Sequence, residues 1–413
     1  MSMETKAFTW LFHFLLLLMV GRASVVAGAR GKPVIFDVRN FGARADGRSD
    51  DSKALLEAWK AACGSSGVVK IVIPAGTYLV GPTKFKGPCK NVLSLKVHLQ
   101  GILKATTSLD QYRSAKWVEF GWVKRLILVG GTFDGQGAAS WPFNKCPKQK
   151  NCKVLPTSIL FVNNNNTVVR GITSVNSKFF HIGILRCRNF NGSNIKIIAP
   201  ANSPNTDGIH LERNTGVTLS RLSIGTGDDC VSVGHGNTDV TITGVKCGPG
   251  HGISVGSLGK YNGEQDVTGL VVKNCVIRGT TNGVRIKTWE NSPSATIATN
   301  LTFENIVMKN VDKPILIDQQ YCPYHKCDSS APSQVKISNI KFKNISGTTN
   351  YPEAVTLRCS QGLPCKDVSL QDVSLKYVGG KNSFSTEHKT TLTSTCINVK
   401  PTFMGIQNPP PCL

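Results

Sequence analysis

Residues 225–236 read GTGDDCVSVGHG, placing Asp228 beside Asp229 behind two glycines in a chain with 48 Lys+Arg against 25 Asp+Glu. Adjacent carboxylates repel, and a solvated turn is their ordinary home. The alternative is acid–base chemistry, because crowded or buried carboxyls raise one another's proton affinity. Spacing favours the second reading. Asp207 lies 22 residues before Asp229 and His251 lies 22 residues after it, while Arg285 and Lys287 follow His251 by 34 and 36. A chain coiling with that period would stack SPNTDG (203–208), GTGDDC (225–230), GPGHGI (248–253) and NGVRIKT (282–288) as neighbouring rungs. Three carboxylates, one imidazole and two cations would then converge over about 15 Å, at one coil per ~4.8 Å.

Such a patch suits cleavage of a glycosidic bond. One carboxylic acid protonates the leaving oxygen while a carboxylate opposite activates water, and roughly 6.5–9.5 Å between them leaves room for that water when configuration inverts. Arg285 and Lys287, alternate residues of one strand, share a side and could hold a sugar carboxylate, the first by a fork and the second as a point charge. His251 would tune the acid or bond a sugar. Adjacent strand residues face opposite ways, so joint use of Asp228 and Asp229 requires a turn or bulge, which Gly225 and Gly227 allow. Singly, each feature is ordinary: His251 after Pro-Gly reads as a turn residue, and R-I-K as an exposed strand with Ile286 inward. The shared phase separates them from that background.

The elements that would position these groups are short β-rich runs. Apolar-x-x-apolar-x-apolar recurs at Leu219/Leu222/Ile224, Ile242/Val245/Cys247, Val272/Cys275/Ile277, Phe303/Ile306/Met308, Ile337/Ile340/Phe342 and Leu370/Val373/Leu375, with successive starts 23, 30, 31, 34 and 33 residues apart. A repeat of this length with β-branched residues and Asn/Gly turns predicts an all-β fold, a right-handed parallel β-helix (solenoid). A sandwich would instead want hairpins with two-residue turns. SDDSKALLEAWKAAC (49–63) predicts a short N-terminal capping helix, started by Ser49 or Asp50, with Leu55, Leu56, Trp59 and Ala62 on one face. No linker divides the remainder, so one domain is expected over 30–413, with a loop inserted at GSLGKYNGEQD (256–266).

The N-terminus reads as a secretory signal peptide over residues 1–29: Lys6, the apolar run LFHFLLLLMV, then small residues near Ala27 and Ala29. The run is too short for a membrane anchor, so the expectation is a secreted, extracellular, cell-wall protein, a monomer with no membrane association once mature. All 14 cysteines follow that segment, which suits an oxidising compartment. Cys146–Cys152, Cys322–Cys327 and Cys359–Cys365 look like loop staples, and Cys275 reads equally as a buried free thiol. None of these pairs has CxxC spacing and no His pair completes a zinc pattern, so no metal is expected. Asn165, Asn191, Asn300 and Asn344 head glycosylation sequons. A net charge of +23 favours polyanions. Without a nucleic-acid-binding motif and with an export signal, an acidic polysaccharide is the expected partner and nucleic acid is not.

At these segments the sequence resembles the polygalacturonases of glycoside hydrolase family 28. Asn205-Thr206-Asp207, Gly227-Asp228-Asp229, Gly250-His251-Gly252 and Arg285-Ile286-Lys287 match its four signatures in order, and the likeness runs from VIFDVRNFGARADG (34–47) to the cysteine-containing tail. The resemblance implies hydrolysis of α-1,4-galacturonan with inversion and no cofactor. It implies Asp228 as proton donor, Asp207 and Asp229 as the water-activating pair, His251 assisting, and Arg285 and Lys287 binding galacturonate. Asn205 and Tyr321, the latter in DQQYC (318–322), become substrate contacts. Within the family the chain is most similar to plant pollen-type exopolygalacturonases, since it lacks a long segment between signal and VIFDVRNFGA. Endo action, a calcium-dependent pectate lyase and a non-catalytic wall-binding protein are the alternatives.

Overall fold

The computed structural model describes residues 32–412 except 147, 150, 325 and 380–390; the expected signal peptide lies outside the described residues. The strands stack into a right-handed parallel β-helix. One sheet has 11 strands running in chain order from Thr83–Lys86 to Thr393–Ile397, and the rest of the coil contributes an 18-stranded sheet. The ladders of the 11-stranded sheet are parallel throughout. Inward residues form one continuous core, with Phe85, Phe120 and Phe161 stacked at ring spacings of 5.0 and 5.5 Å and Phe190 meeting Phe161 edge to face at 5.1 Å. Further along, Phe303 lies on Phe342 at 5.2 Å.

The apolar-x-x-apolar signature is a corner. Between its two inward residues sits one with left-handed backbone: Arg221 (φ 53°), Gly244 (φ 67°), Asn274 (φ 56°), Asn305 (φ 55°) and Asn344 (φ 51°) in successive coils. Asn tolerates that region better than most residues. Its amide also stacks: Asn305 Nδ2 donates to Asn274 Oδ1 at 3.2 Å, and Asn344 Nδ2 to Asn305 Oδ1 at 2.8 Å. Each coil carries a second corner of the same form, at Gly269, Asn300 and Asn339. This corrects the sequence alignment. Phe303 pairs with Phe342, not Ile337, and Ile337 pairs with Ala298, so the coils there span 39 and 28 residues rather than 34 and 33. Two corners with one signature made the register ambiguous.

The capping helix is Ser52–Cys63, with Leu55, Ala58, Trp59 and Ala62 buried. It starts later than expected because Asp46–Asp50 forms a strand. Ser49 Oγ donates to Asp46, and Asp51, at the N-cap position, turns its carboxylate to the N–H groups of Arg44 and Ala45 instead. Asp50 accepts from Ser52 N at 2.9 Å, and so does part of the capping assigned to it. Trp59 packs on Phe85 and Phe120, and Cys63–Cys89 ties the helix to the first coils.

Candidate active site

The strands Ile209–Glu212, Val231–Val233, Ile253–Leu258 and Asn282–Thr288 are consecutive in the 11-stranded sheet. Ile209, Val231, Ile253 and Val284 align inward, and His210, Ser232, Ser254 and Arg285 form the adjoining outward column. The four motifs lie on neighbouring rungs, as the spacing predicts.

Asp228 and Asp229 occupy the turn between Gly225 and Val231. Gly227 is needed there for proximity: a Cβ would lie 2.1 Å from Ser203 O. One rung above, Gly250 has φ 143° and its missing Cβ clears Asp228 O, while His251 N donates to that same carbonyl at 2.8 Å. A disulfide, Cys230–Cys247, fastens the Asp229 rung to the His251 rung. Cys146–Cys152, Cys322–Cys327 and Cys359–Cys365 pair as the loop staples expected, and Cys275 is a buried free thiol together with Cys187.

The three carboxyls differ in surroundings. Asp229, with a 1% exposed side chain, accepts Ser254 Oγ at 2.8 Å, Arg285 Nη2 at 2.8 Å and Lys287 Nζ at 2.9 Å. Burial opposes its ionisation, but Lys287 and Arg285 outweigh that and hold it at about 2. Asp207, also buried, accepts Ser232 Oγ at 2.7 Å. Burial first, then the charges of Asp228 and Asp229, push it well above the ordinary carboxylate range. Asp228 keeps 17% of its side chain exposed, beside His251 at 38%. Its Oδ1 meets His251 Nδ1 at 3.0 Å and its Oδ2 accepts Asn205 Nδ2 at 3.3 Å. Asn144 in turn donates to Asn205 Oδ1 at 3.1 Å.

Arg285 and Lys287 each spend a donor on Asp229, which the reading of them as a pure sugar-carboxylate clamp did not include. Tyr321 lies against both, its ring 5.9 Å from the Arg285 guanidinium and 5.2 Å from the Lys287 ammonium. The ligand atoms of Asp228, Asp229 and His251 lie within 4.8 Å of one another. That trio is a poor home for a metal ion, because two cations already hold the Asp229 carboxylate. Three polar neighbours escaped the sequence reading: His210, Ser232 and Ser254. A signal existed, since each stands three residues after Asp207, Asp229 and His251 respectively.

Chemically, the rungs combine one carboxylate held ionised by two cations, one buried carboxyl of high proton affinity and one partly exposed carboxyl paired to an imidazole. That combination can donate a proton on one side of a bond and activate water on the other.

Residues 63–397 match the family glycosyl hydrolases family 28. The chain is 45% identical to an exopolygalacturonase of Platanus acerifolia over 92% of this chain and 98% of that protein. It is 46% identical to an exopolygalacturonase of Zea mays over 86% and 87%, and 43% identical to a polygalacturonase of Gossypium barbadense over 97% and 94%. Among solved structures, an exopolygalacturonase from Thermotoga maritima superposes with TM-score 0.71 at 19% identity, covering 89% of this chain and 91% of that one. An endo-xylogalacturonan hydrolase from Aspergillus tubingensis gives 0.71 at 22% identity over 90% and 100%. At these identities the superpositions carry the fold.

Proposed function

The chain belongs to glycosyl hydrolase family 28, and on that premise we propose that it is a polygalacturonase that releases galacturonate from the end of α-1,4-galacturonan. Relatives named exopolygalacturonase at 45–46% identity over most of both chains support the exo mode. The observation that carries the chemistry is the division of labour among the carboxyls on adjacent rungs.

Asp228 is the proton donor, reached from the cleft and held by His251 and Asn205. Asp207 and Asp229 orient and deprotonate the attacking water, with inversion. A carboxyl of raised proton affinity suits a base, because transfer is most efficient when its pKa approaches the working pH. Arg285, Lys287 and Tyr321 meet the galacturonate ring and its carboxylate, with the Asp229 pairings fixing the cations in place. Asn205 touches the sugar beside the scissile bond. A net charge of +23 draws the polyanion to the cleft. No metal or organic cofactor takes part. Residues 1–29 direct export as a secretory signal peptide, and the mature chain works in the cell wall as a monomer with the six disulfides formed; no helix among the described residues is long and apolar enough to cross a membrane.

The decisive experiment compares polygalacturonate with a galacturonide whose leaving group needs no protonation. Asp228→Asn loses turnover on the polymer by on the order of 10²–10⁴ but keeps most of it on the activated substrate, whereas Asp207→Asn loses both. Equal loss on both substrates by Asp228→Asn would remove it as the acid. Monomer as the sole early product marks exo cleavage, and an unsaturated, ultraviolet-absorbing sugar would mark a lyase.

A further inference from the structure

From the outward column beside the site, we infer that Ser232 and His210 form a proton wire that clears Asp207 after each turnover, His210 being a positioning residue that never touches the reacting atoms. The inference rests on Asp207 acting as base in the hydrolysis proposed above.

Ser232 and Ser254 hold equivalent places on successive rungs, and each donates to the carboxylate one rung below: Ser232 Oγ to Asp207 Oδ2 at 2.7 Å, Ser254 Oγ to Asp229 Oδ1 at 2.8 Å. A hydroxyl has one hydrogen, so each serine must accept from something else. Ser254 accepts Arg285 Nε at 3.0 Å. A guanidinium keeps its protons, so that arm is fixed and Asp229 stays ionised. Ser232 instead faces His210 Nδ1 at 2.8 Å, and an imidazole can reverse its polarity. The two arms share one geometry and differ in whether protons can pass.

The proton inventory gives two states. With Asp207 ionised, His210 Nδ1–H donates to Ser232 Oγ and Ser232 O–H donates to Asp207. In the loaded state Asp207 has taken a proton from water, its O–H donates to Ser232 Oγ, Ser232 O–H donates to His210 Nδ1, and the neutral ring carries its hydrogen on Nε2. The Asp207 proton then passes to Ser232 Oγ as the Ser232 hydrogen passes to Nδ1, and the imidazolium so formed releases Nε2–H outward, 3.8 Å from Glu212 Oε2. This restores ionised Asp207 with Nδ1–H, and the loaded state forms again when Asp207 takes the next proton and the ring returns its hydrogen from Nδ1 to Nε2 by exchange with water; one proton enters at Asp207 and one leaves at Nε2 per cycle. Glu212 draws the proton outward, held well below the usual carboxylate range by His210 and then His235, whose Nε2 lies 3.5 Å from it. Arg213 completes that group on Glu212. The path opens to water: the side chains of His210, Glu212 and His235 are 19%, 22% and 17% exposed. Phe180 covers one face of His210 at 4.8 Å and excludes a competing partner there. Around Asp207 the remaining charged groups are Asp228, Asp229 and Lys287.

The test uses the full-length enzyme on polygalacturonate across pH. His210→Ala lowers kcat by about 10- to 100-fold, with KM within about twofold, shifts the pH profile of kcat, and recovers turnover when imidazole is added. Ser232→Ala gives the same kcat loss without imidazole rescue, because the link itself is gone. Near-wild-type kcat in both variants overturns the wire. So does a loss in His210→Ala that raises KM in parallel, leaves the pH profile in place and ignores imidazole, which is the signature of structural damage. A wild-type enzyme that frees no galacturonate would instead overturn the hydrolase reading, before either variant is made.

Discussion

Replacing Lys287 with methionine tests whether Asp229 is kept charged by its cations. Lys287 Nζ lies 2.9 Å from Asp229 Oδ2. At an effective dielectric near 20 the gross attraction at that distance is about 5–6 kcal/mol, but removing one partner of a buried pair typically costs a net 3–5 kcal/mol. Arg285 and Ser254 remain on the other oxygen, which places the expected loss near the lower bound, about 3 kcal/mol at pH 7. The pH dependence follows from linkage. Asp229's folded pKa, about 2, lies below its ordinary 3.8, so its ionised form adds stability above pH ~4 that is lost as pH falls through 2. In Lys287→Met that pKa rises, and protonated Asp229 no longer needs an ammonium. The gap between wild type and variant in thermal midpoint should therefore be widest near neutrality and narrow steadily below about pH 4. Midpoints by circular dichroism from pH 7 to 2.5 give the comparison. A gap that stays constant over that range would mean the lysine contributes packing alone, and the electrostatic account of Asp229 would fall.

Asp207→Asn should show the opposite sign. Its folded pKa is raised, so the protonated form adds stability below the ordinary carboxylate pKa that is lost as pH rises through the folded value; the variant should lose turnover yet melt higher than wild type at pH 7, the advantage vanishing near pH 3. A lower midpoint at pH 7 would contradict it. Removing Cys230–Cys247 by double serine substitution should cost about 3 kcal/mol, from the entropy of closing a loop of roughly 15 residues, and should reduce kcat by more than loss of Cys322–Cys327 does. Equal kcat effects would show that the cross-rung link does not align the site.

The site was legible because a solenoid converts sequence distance into adjacency. Asp207, Asp229 and His251 share a 22-residue phase, and consecutive ladders one coil apart bring them together. What was not legible depends on side-chain direction. Nothing in R-I-K says that Arg285 and Lys287 turn toward Asp229, and no spacing says that Asp229 is held low while Asp207 is pushed high. The pairing partners of Asp229 decide this, and they arrive from one rung away for Ser254 and two for Arg285 and Lys287. The register slip at Ile337 has a similar cause: two chemically alike corners per coil differ only in which ladder they join. The helix start shifted because Asp51 found backbone partners in the preceding loop, a tertiary contact that cap preferences do not contain.

The inserted loop spans 259–266, shorter than the expected 256–266 because residues 256–258 belong to the strand Ile253–Leu258, and it separates two requirements that most folds entangle. Glu264 gathers the N–H groups of Gly259, Lys260 and Tyr261 at 2.7, 2.9 and 2.9 Å, so the excursion closes on itself, and Val240↔Leu270 and Ile253↔Val284 still pair on either side of it. Chain length can thus grow between rungs without disturbing the height at which Arg285 and Lys287 meet Asp229. The rim of the cleft is free to lengthen, shorten or wall off one end over evolutionary time while the chemistry beneath it keeps the same coordinates.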